Sequence, residues 1–347
     1  MMIDTIRVVI QVNVGRPLFG GRMVSTKWED GQEQREFELL KHMKCEGSWS
    51  GSMMLRCIDG YELELYGSPT KFLHGHNLFG SSDLFALLKA TIQRLQLGPL
   101  ADVRVSDVAI SEAKIQRIDV NEMFTLRNLE DVKLYIKAAA SRASLSHRGK
   151  GALAEDGCTV SWGMHRGNRS AWKIKIYAKG PEFVVKRKGK LSQAAPLVRS
   201  ELLKAWVDRQ IRVEIEVHGR ELDKLGIRSV DAWDAATAAK LWDAKASKLF
   251  WGDEPMEIEE NKLEAPGRVT ALYDSWLAGR DLAAHASRRS FFRWRSEVKK
   301  HYGVDIALPA PESGMDNVKA FTFRRVLQVE RADQAEIEPL VRRLLAA

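Results

Sequence analysis

Apolar and polar positions alternate along "TIRVVIQV" (5–12) and "YELELYG" (61–67), the period-two mark of half-buried strands. Residues 15–50 between them are polar and glycine-containing and predict no definite element. In "SSDLFALLKATIQRLQLG" (81–98) the period changes to that of a helix, which we place at about 83–97, with Ser81 or Ser82 as N-cap and Gly98-Pro99 as its end. "AKIQRIDVNEMF" (113–124) predicts a strand, and "NLEDVKLYIKAAASRASL" (128–145) a helix capped by Asn128. "HRGKGALAEDG" (147–157) reads as a loop. "CTVSWG" (158–163) and "SAWKIKIYAKG" (170–180) then read as strands joined through a hairpin at "MHRGNR" (164–169). A helix over about 193–208 precedes the strand "QIRVEIEVHG" (210–219). The order β, α, β, α, ββ, α, β predicts an α+β fold: an antiparallel or mixed sheet with helices on one face. Beyond 230 the pattern turns mainly helical. We therefore expect a boundary near 230–250, between an α+β unit over 1–235 and a mainly helical C-terminal unit over 236–347.

Composition narrows the class. Hydrophobic residues make up 45% and charged residues 29% of 347, as in ordinary globular proteins. No run of about 18 apolar residues predicts a membrane span, and the first residues lack the pattern of a signal peptide. Cys45, Cys57 and Cys158 are scattered with no C-x-x-C pair, which suggests neither a disulfide framework nor a thiolate zinc site. A reducing cytoplasm is expected. The formal charge of +8 favours a polyanionic partner. It concentrates in "KRKGK" (186–190), "RRSFFRWRSEVKKHYG" (288–303) and "FTFRRV" (321–326), against an acidic run at 251–264. The run at 288–303 interleaves aromatics with cations, a combination suited to nucleic acid.

Strand alternation places chemistry on faces. In 171–179, Trp172, Ile174 and Ile176 share one face; Lys173, Lys175, Tyr177 and Lys179 share the other. A tyrosine among ammonium groups suits phosphate attack, because those charges favour the phenolate and hold the attacked anion. An ordinary amphipathic strand has the same pattern. Arg212, Glu214, Glu216 and His218 share a face, as do Arg117, Asp119 and Asn121. Such carboxylates either gather round Mg²⁺ or Mn²⁺ or pair with the neighbouring cations. "KFLHGHNLFG" (71–80) presents an H-x-H pair: extended, His74 and His76 would point the same way and chelate an ion; as a turn, Gly75 would supply backbone freedom. At 288–303, Phe291, Trp294 and Val298 fall on a core face. Arg293, Arg295, Lys299 and Lys300 are left for the exposed side of a helix-turn-helix-like element, or of a helical unit that only packs on the sheet.

The succession "SPTKFLHGHNLFGSSDL", "IQRIDV", "AWKIKIYAKG" and "IRVEIEVHGRELDKLGI" resembles the replication initiation proteins of filamentous phages, the gene II/gene X family, over roughly 61–233. "SRRSFFRWRSEVKKHYGV" extends the resemblance into the tail. It implies a rolling-circle initiator that nicks one strand of duplex origin DNA, links a tyrosine to the 5′ phosphate, leaves a 3′-hydroxyl primer and later rejoins the displaced strand into a circle. Tyr177 would be the nucleophile, with Lys179 assisting. Mg²⁺ or Mn²⁺ would be held by Asp119 and Glu214, then His76, His74, Glu64 and Glu216. The family often shows "QGHN" where this chain has "HGHN", so His76 and Asn77 match better than His74. Lys173, Lys175, Arg117, Arg212, Arg293, Arg295 and Lys299 would contact DNA. Duplex and single-stranded origin DNA, host helicase and polymerase are the implied partners, with oligomers on the origin and action in the host cytoplasm. A separate C-terminal product would start at Met256 or Met315. The competing readings are a non-catalytic DNA-binding replication regulator and a nuclease that uses water.

Overall fold

In this computed structural model the described residues are all but 30–31, 48, 50, 146–148, 164–170, 188–189, 252–265, 303, 309, 311–330 and 347. The expected hairpin turn at 164–169, the acidic run from 252, the basic run at 321–326, Met256 and Met315 lie outside them, as does the centre of the basic run at 186–190.

The chain opens with β1 (Met2–Gln11), β2 (Gly21–Glu29), β3 (Gln32–Lys41), β4 (Met43–Glu46), β5 (Ser52–Arg56) and β6 (Glu62–Gly67). Helices α1 (Pro69–His74), α2 (Leu84–Leu95) and α3 (Asp107–Ser111) lead to β7 (Lys114–Thr125), α4 (Leu129–Arg142) and the short strands β8 (Ala143–Leu145), β9 (Gly149–Lys150) and β10 (Ala152–Leu153). Next come β11 (Thr159–Trp162), β12 (Trp172–Ala178), α5 (Lys179–Val184), β13 (Lys186–Arg187), β14 (Lys190–Leu191), α6 (Ala195–Arg199), α7 (Glu201–Asp208) and β15 (Gln210–His218). The remainder is α8 (Gly219–Leu225), α9 (Ala235–Ala246), β16 (Leu249–Trp251), α10 (Gly267–Leu277), α11 (Arg288–Tyr302) and α12 (Gln334–Ala346).

The expected α+β class is realised. Nine strands form one sheet in the order β10-β11-β12-β15-β7-β1-β6-β5-β4. Every pairing in it is antiparallel. One face carries the main core, where Ile118, Val120, Ile174 and Ile215 meet Ile92 of α2, Ile136 of α4 and Trp242 of α9. The opposite face is polar along its middle. At one end of it Met123 joins Leu78, α6, α7 and α12 in a second apolar cluster. A third cluster belongs to α10 and α11, around Trp276 and Val298. Thus α9 and α12, both beyond residue 235, pack with the sheet. Helices α10 and α11 share a core of their own.

Caps explain several boundaries. Asn128 accepts from the Asp131 amide, as its sequence position predicts. Helix α2 is capped by Asp83, not by a serine; Ser81 Oγ accepts from the Asp83 amide instead. The helix expected over 193–208 breaks in two because Ser200 stays extended and caps α7. The span 15–50 is a β2–β3 ribbon followed by β4, elements its mixed polarity hides. Among the described residues, no helix is long and apolar enough to cross a membrane. The three cysteines are free and buried.

Candidate active site

The polar face is built by register. Across β12, β15 and β7 the rows read Tyr177–Arg212–Met123, then Lys175–Glu214–Asn121, then Lys173–Glu216–Asp119, and His218 faces Arg117. Directly opposed side chains on one face lie close enough to pair, and here they do. Lys175 Nζ donates to Glu214 Oε1 at 2.6 Å and Lys173 Nζ to Glu216 Oε1 at 2.8 Å. Arg117 grips Asp119 with two bonds of 2.8 and 2.6 Å and reaches Glu216 Oε2 at 3.0 Å. His218 Nε2 lies 2.6 Å from Glu216 Oε1. Burial pushes Glu216 up, but His218, Lys173 and Arg117 outweigh it and hold its carboxyl at about 2. Burial raises Asp119 to about 7 against the pull of Arg117, with Glu214 and Glu216 adding to the rise.

Tyr177 sits near the end of β12 and is only 6% exposed. Its hydroxyl donates to Glu214 Oε2 at 3.3 Å, and Lys175 Nζ lies 4.8 Å from the ring centroid. The lysine face does not give a phenolate. Burial holds the phenol well above its ordinary pKa; Arg212 pulls it down while Glu214, Glu182 and Asp4 push it further up. Lys179 also departs from expectation. The strand stops at Ala178, and Lys179 opens α5 as a fully buried side chain, bonded to Asn77 Oδ1 at 2.9 Å and to Glu182. Burial first, then Arg212 and Lys71, lower it to about 7, with Glu182 opposing.

Residues 71–77 are not extended. Ser68 caps α1, and Gly75 ends it at φ +74°. The histidine rings therefore do not form a strand-face pair; their centroids are 6.2 Å apart. His76 is buried, packs on Phe79 at 4.5 Å, and accepts on Nδ1 from the Leu78 amide at 3.3 Å. Burial, aided by His74, Lys179 and Arg212, lowers it to about 3, so the ring is neutral. His74 is exposed. Both histidines line a cavity of about 550 Å³, as do Glu338, Val341 and Arg342 of α12.

The expected metal ligands are brought together only in part. Glu64 lies on β6, beyond β1 from Asp119, where Arg7 and Arg56 hold it and His42 approaches at 3.2 Å. Asp119, Glu214 and Glu216 are neighbours, but each already bonds a cation. Among the described residues, no group of three or more His, Cys, Asp or Glu is arranged to hold an ion. A divalent cation does not fit this donor set without displacing Arg117, Lys173 or Lys175.

The expected DNA contacts divide. Arg293 is exposed and Lys299 half-buried on α11. Lys173, Lys175 and Arg117 are part-exposed members of the ion-pair ladder. Arg212 is fully buried, so it is not a surface contact: Nη2 donates to the Asn77 carbonyl, and Nη1 lies 3.6 Å from Asp4. Arg295, expected to be exposed, is buried too; it pairs with Asp305 through Nε at 2.6 Å and bonds Ser144 Oγ at 3.0 Å, fastening α11 to β8. An arginine beside two core aromatics looks like surface charge until its partner, ten residues on, is known. Sequence reasoning gave no role to Asp4, Glu182 or Gln193. Only Glu182 left a signal, standing three residues after Lys179 on one helix.

Comparison with known proteins adds a family. A family model described as the N-terminal part of a phage replication-associated protein matches residues 2–236. The chain is 28% identical over 341 residues to the replication-associated protein of Enterobacteria phage I2-2, covering 95% of this chain and 94% of that protein. No solved structure matches.

Proposed function

The chain belongs to this family of phage replication-associated proteins, and from that premise we propose that it is a rolling-circle replication initiator that nicks and rejoins origin DNA through Tyr177. The observation that carries this reading is the wiring of one phenol: Tyr177 donates to Glu214, faces Arg212 across the β12–β15 register and lies under Lys175. A raised phenol pKa needs a proton acceptor in place before attack, and Glu214 supplies one. In the proposed step Glu214 takes the phenol proton as Oη attacks the scissile phosphorus. The new bond joins Oη to phosphorus, the bond to the 3′ oxygen breaks, and that oxygen takes a proton from Lys179, leaving a free 3′-hydroxyl and a 5′-phosphotyrosine. Arg212 and Lys175 offset the added negative charge. Rejoining reverses each transfer.

DNA would approach over the part-exposed lysines of β12 and the exposed cations of α11. Host polymerase would then extend the 3′ end while host helicase separates the strands, with oligomers forming on the origin in the host cytoplasm. The near-complete burial of Tyr177 favours a second reading, a DNA-binding regulator without chemistry, and one assay separates them. A random-sequence single-stranded DNA pool labelled at the 3′ end is incubated with the protein and run on a denaturing gel. Wild type is expected to carry label covalently, and Tyr177→Phe to carry none. An adduct formed equally by Tyr177→Phe rejects the assignment, DNA binding with no cleavage supports the regulator, and cleaved DNA free of protein supports a hydrolytic nuclease. Repeating the assay in Mg²⁺, Mn²⁺ and EDTA reports whether an ion enters with DNA.

A further inference from the structure

Asn77 follows the two histidines, yet its contacts run elsewhere. It is 2% exposed. Its side-chain Oδ1 accepts from Lys179 Nζ and from Gln193 Nε2, each at 2.9 Å. Its Nδ2 donates to Asp4 Oδ2 at 2.7 Å, and its backbone amide donates to Gln193 Oε1 at 3.2 Å. Its backbone carbonyl accepts from Arg212 Nη2. The amide orientation is dictated by its partners, because an ammonium only donates and a carboxylate only accepts. Burial pushes the Asp4 carboxyl up, but Lys71, Arg212 and Ser68 outweigh it and keep it below its ordinary value, so it is an acceptor.

This one residue therefore touches both buried cations nearest the tyrosine in chain and register: Lys179, two residues on, and Arg212, directly across. Burying two cations with Asp4 and Glu182 is weak evidence for stability, since apolar residues of equal volume often serve as well. Buried charge beside a candidate nucleophile is better explained by chemistry. We propose that Asn77 is a positioning residue for the tyrosine reaction, fixing Lys179 through its side-chain carbonyl and Arg212 through its backbone carbonyl, with Asp4 and Gln193 setting the amide. The inference rests on reading Tyr177 as the nucleophile.

The test uses the full chain and the oligonucleotide recovered by covalent capture from the random pool. Asn77→Leu removes the side-chain bonds. It is expected to lower the maximal rate of adduct formation about 100-fold, a typical loss for a misplaced catalytic group. The half-saturating DNA concentration should stay within about 3-fold, because a group that orients others adds little to ground-state binding. Gln193→Met loosens Asn77 indirectly and should lower the rate less, in the same direction. Asn77→Asp sets a carboxylate beside Lys179, which is faced by Glu182 from its own helix, Arg212 from β15, Lys71 from α1, Asp4 from β1 and His76 from the turn. The added charge favours the ammonium, so the Lys179 inflection in the pH–rate profile should move to higher pH. A merely structural asparagine would lower stability and leave the maximal rate of the folded variants unchanged. Should Asn77→Leu fail to fold, Asn77→Asp and Gln193→Met carry the test. If wild type forms the adduct and the folded variants match it in rate and inflection, the inference falls alone. If wild type forms no adduct, the reading of Tyr177 falls and takes the inference with it.

Discussion

Glu216 shows how much one position on the polar face does. Its carboxylate is met by His218, Lys173 and Arg117 from three strands, counting its own. Its folded pKa of about 2 lies below the ordinary glutamate value near 4.3. A depressed folded pKa stabilises the fold above the unfolded pKa, and that stability is lost as pH falls toward the folded one. Glu216→Gln should therefore cost roughly 2–3 kcal/mol at pH 7 and progressively less between about pH 4.5 and pH 2. Urea denaturation of both proteins at pH 7, 4 and 3 measures this; a difference that does not shrink with falling pH refutes the ion-pair account. The same crowding explains why carboxylates that look like metal ligands in the sequence are bound to cations here. Alternation showed which side chains share a face, but not which cation from the next strand would claim each carboxylate.

Elements were legible where periodicity is strong and obscure where it is not. The alternation of β1, β7, β12 and β15 and the apolar spacing of α2 and α4 follow from packing one apolar face into the main core, and the structure has them. Among the described residues the β2–β3 ribbon is a two-stranded sheet of its own, so its sequence carries no clear apolar face. Of the two readings of 71–77, the turn at Gly75 is the one the structure has; the helix α1 before it is obscured because H-x-H alternates like a strand, whereas Ser68-Pro69 before it and Gly75 after it are helix start and stop signals. Gly75 and Gly226 make a controlled pair. Both are left-handed, at φ +74° and +69°. A Cβ on Gly226 meets nothing within 4 Å, while one on Gly75 would sit 2.4 Å from Trp49 Cδ1. Gly226→Ala should cost about 1–2 kcal/mol, the conformational penalty alone. Gly75→Ala should cost more and should also slow adduct formation, because it displaces the turn that carries His76 and Asn77. Equal denaturation midpoints for the two variants would show that Trp49 yields freely and that the turn is not fixed by this glycine.

At the scale of the molecule, the end of the chain returns to the site. The backbone amide of Ala332 donates to the Met123 carbonyl at 3.0 Å, Phe124 bridges Arg331, and Trp206 Nε1 donates to Glu336 at 3.1 Å. Ile337 and Val341 are buried in the cluster that contains Leu78, the residue after Asn77. No periodicity announces this, because an amphipathic helix reveals that it has a partner and not which one. The consequence is measurable. Ile337→Ala should destabilise the fold by about 2–5 kcal/mol, the usual range for truncating a buried isoleucine. The loss should extend beyond α12. Hydrogen exchange followed by mass spectrometry should show faster exchange at α6, α7 and the Met123 end of β7. Val298→Ala, in the separate cluster of α10 and α11, should leave those segments unchanged. If Ile337→Ala speeds exchange only within 331–346, α12 merely rests on the surface. If the effect reaches β7, the last helix of the chain helps hold the wall against which Asn77, Arg212 and Tyr177 are set, and a change far along the chain from the tyrosine will alter its chemistry.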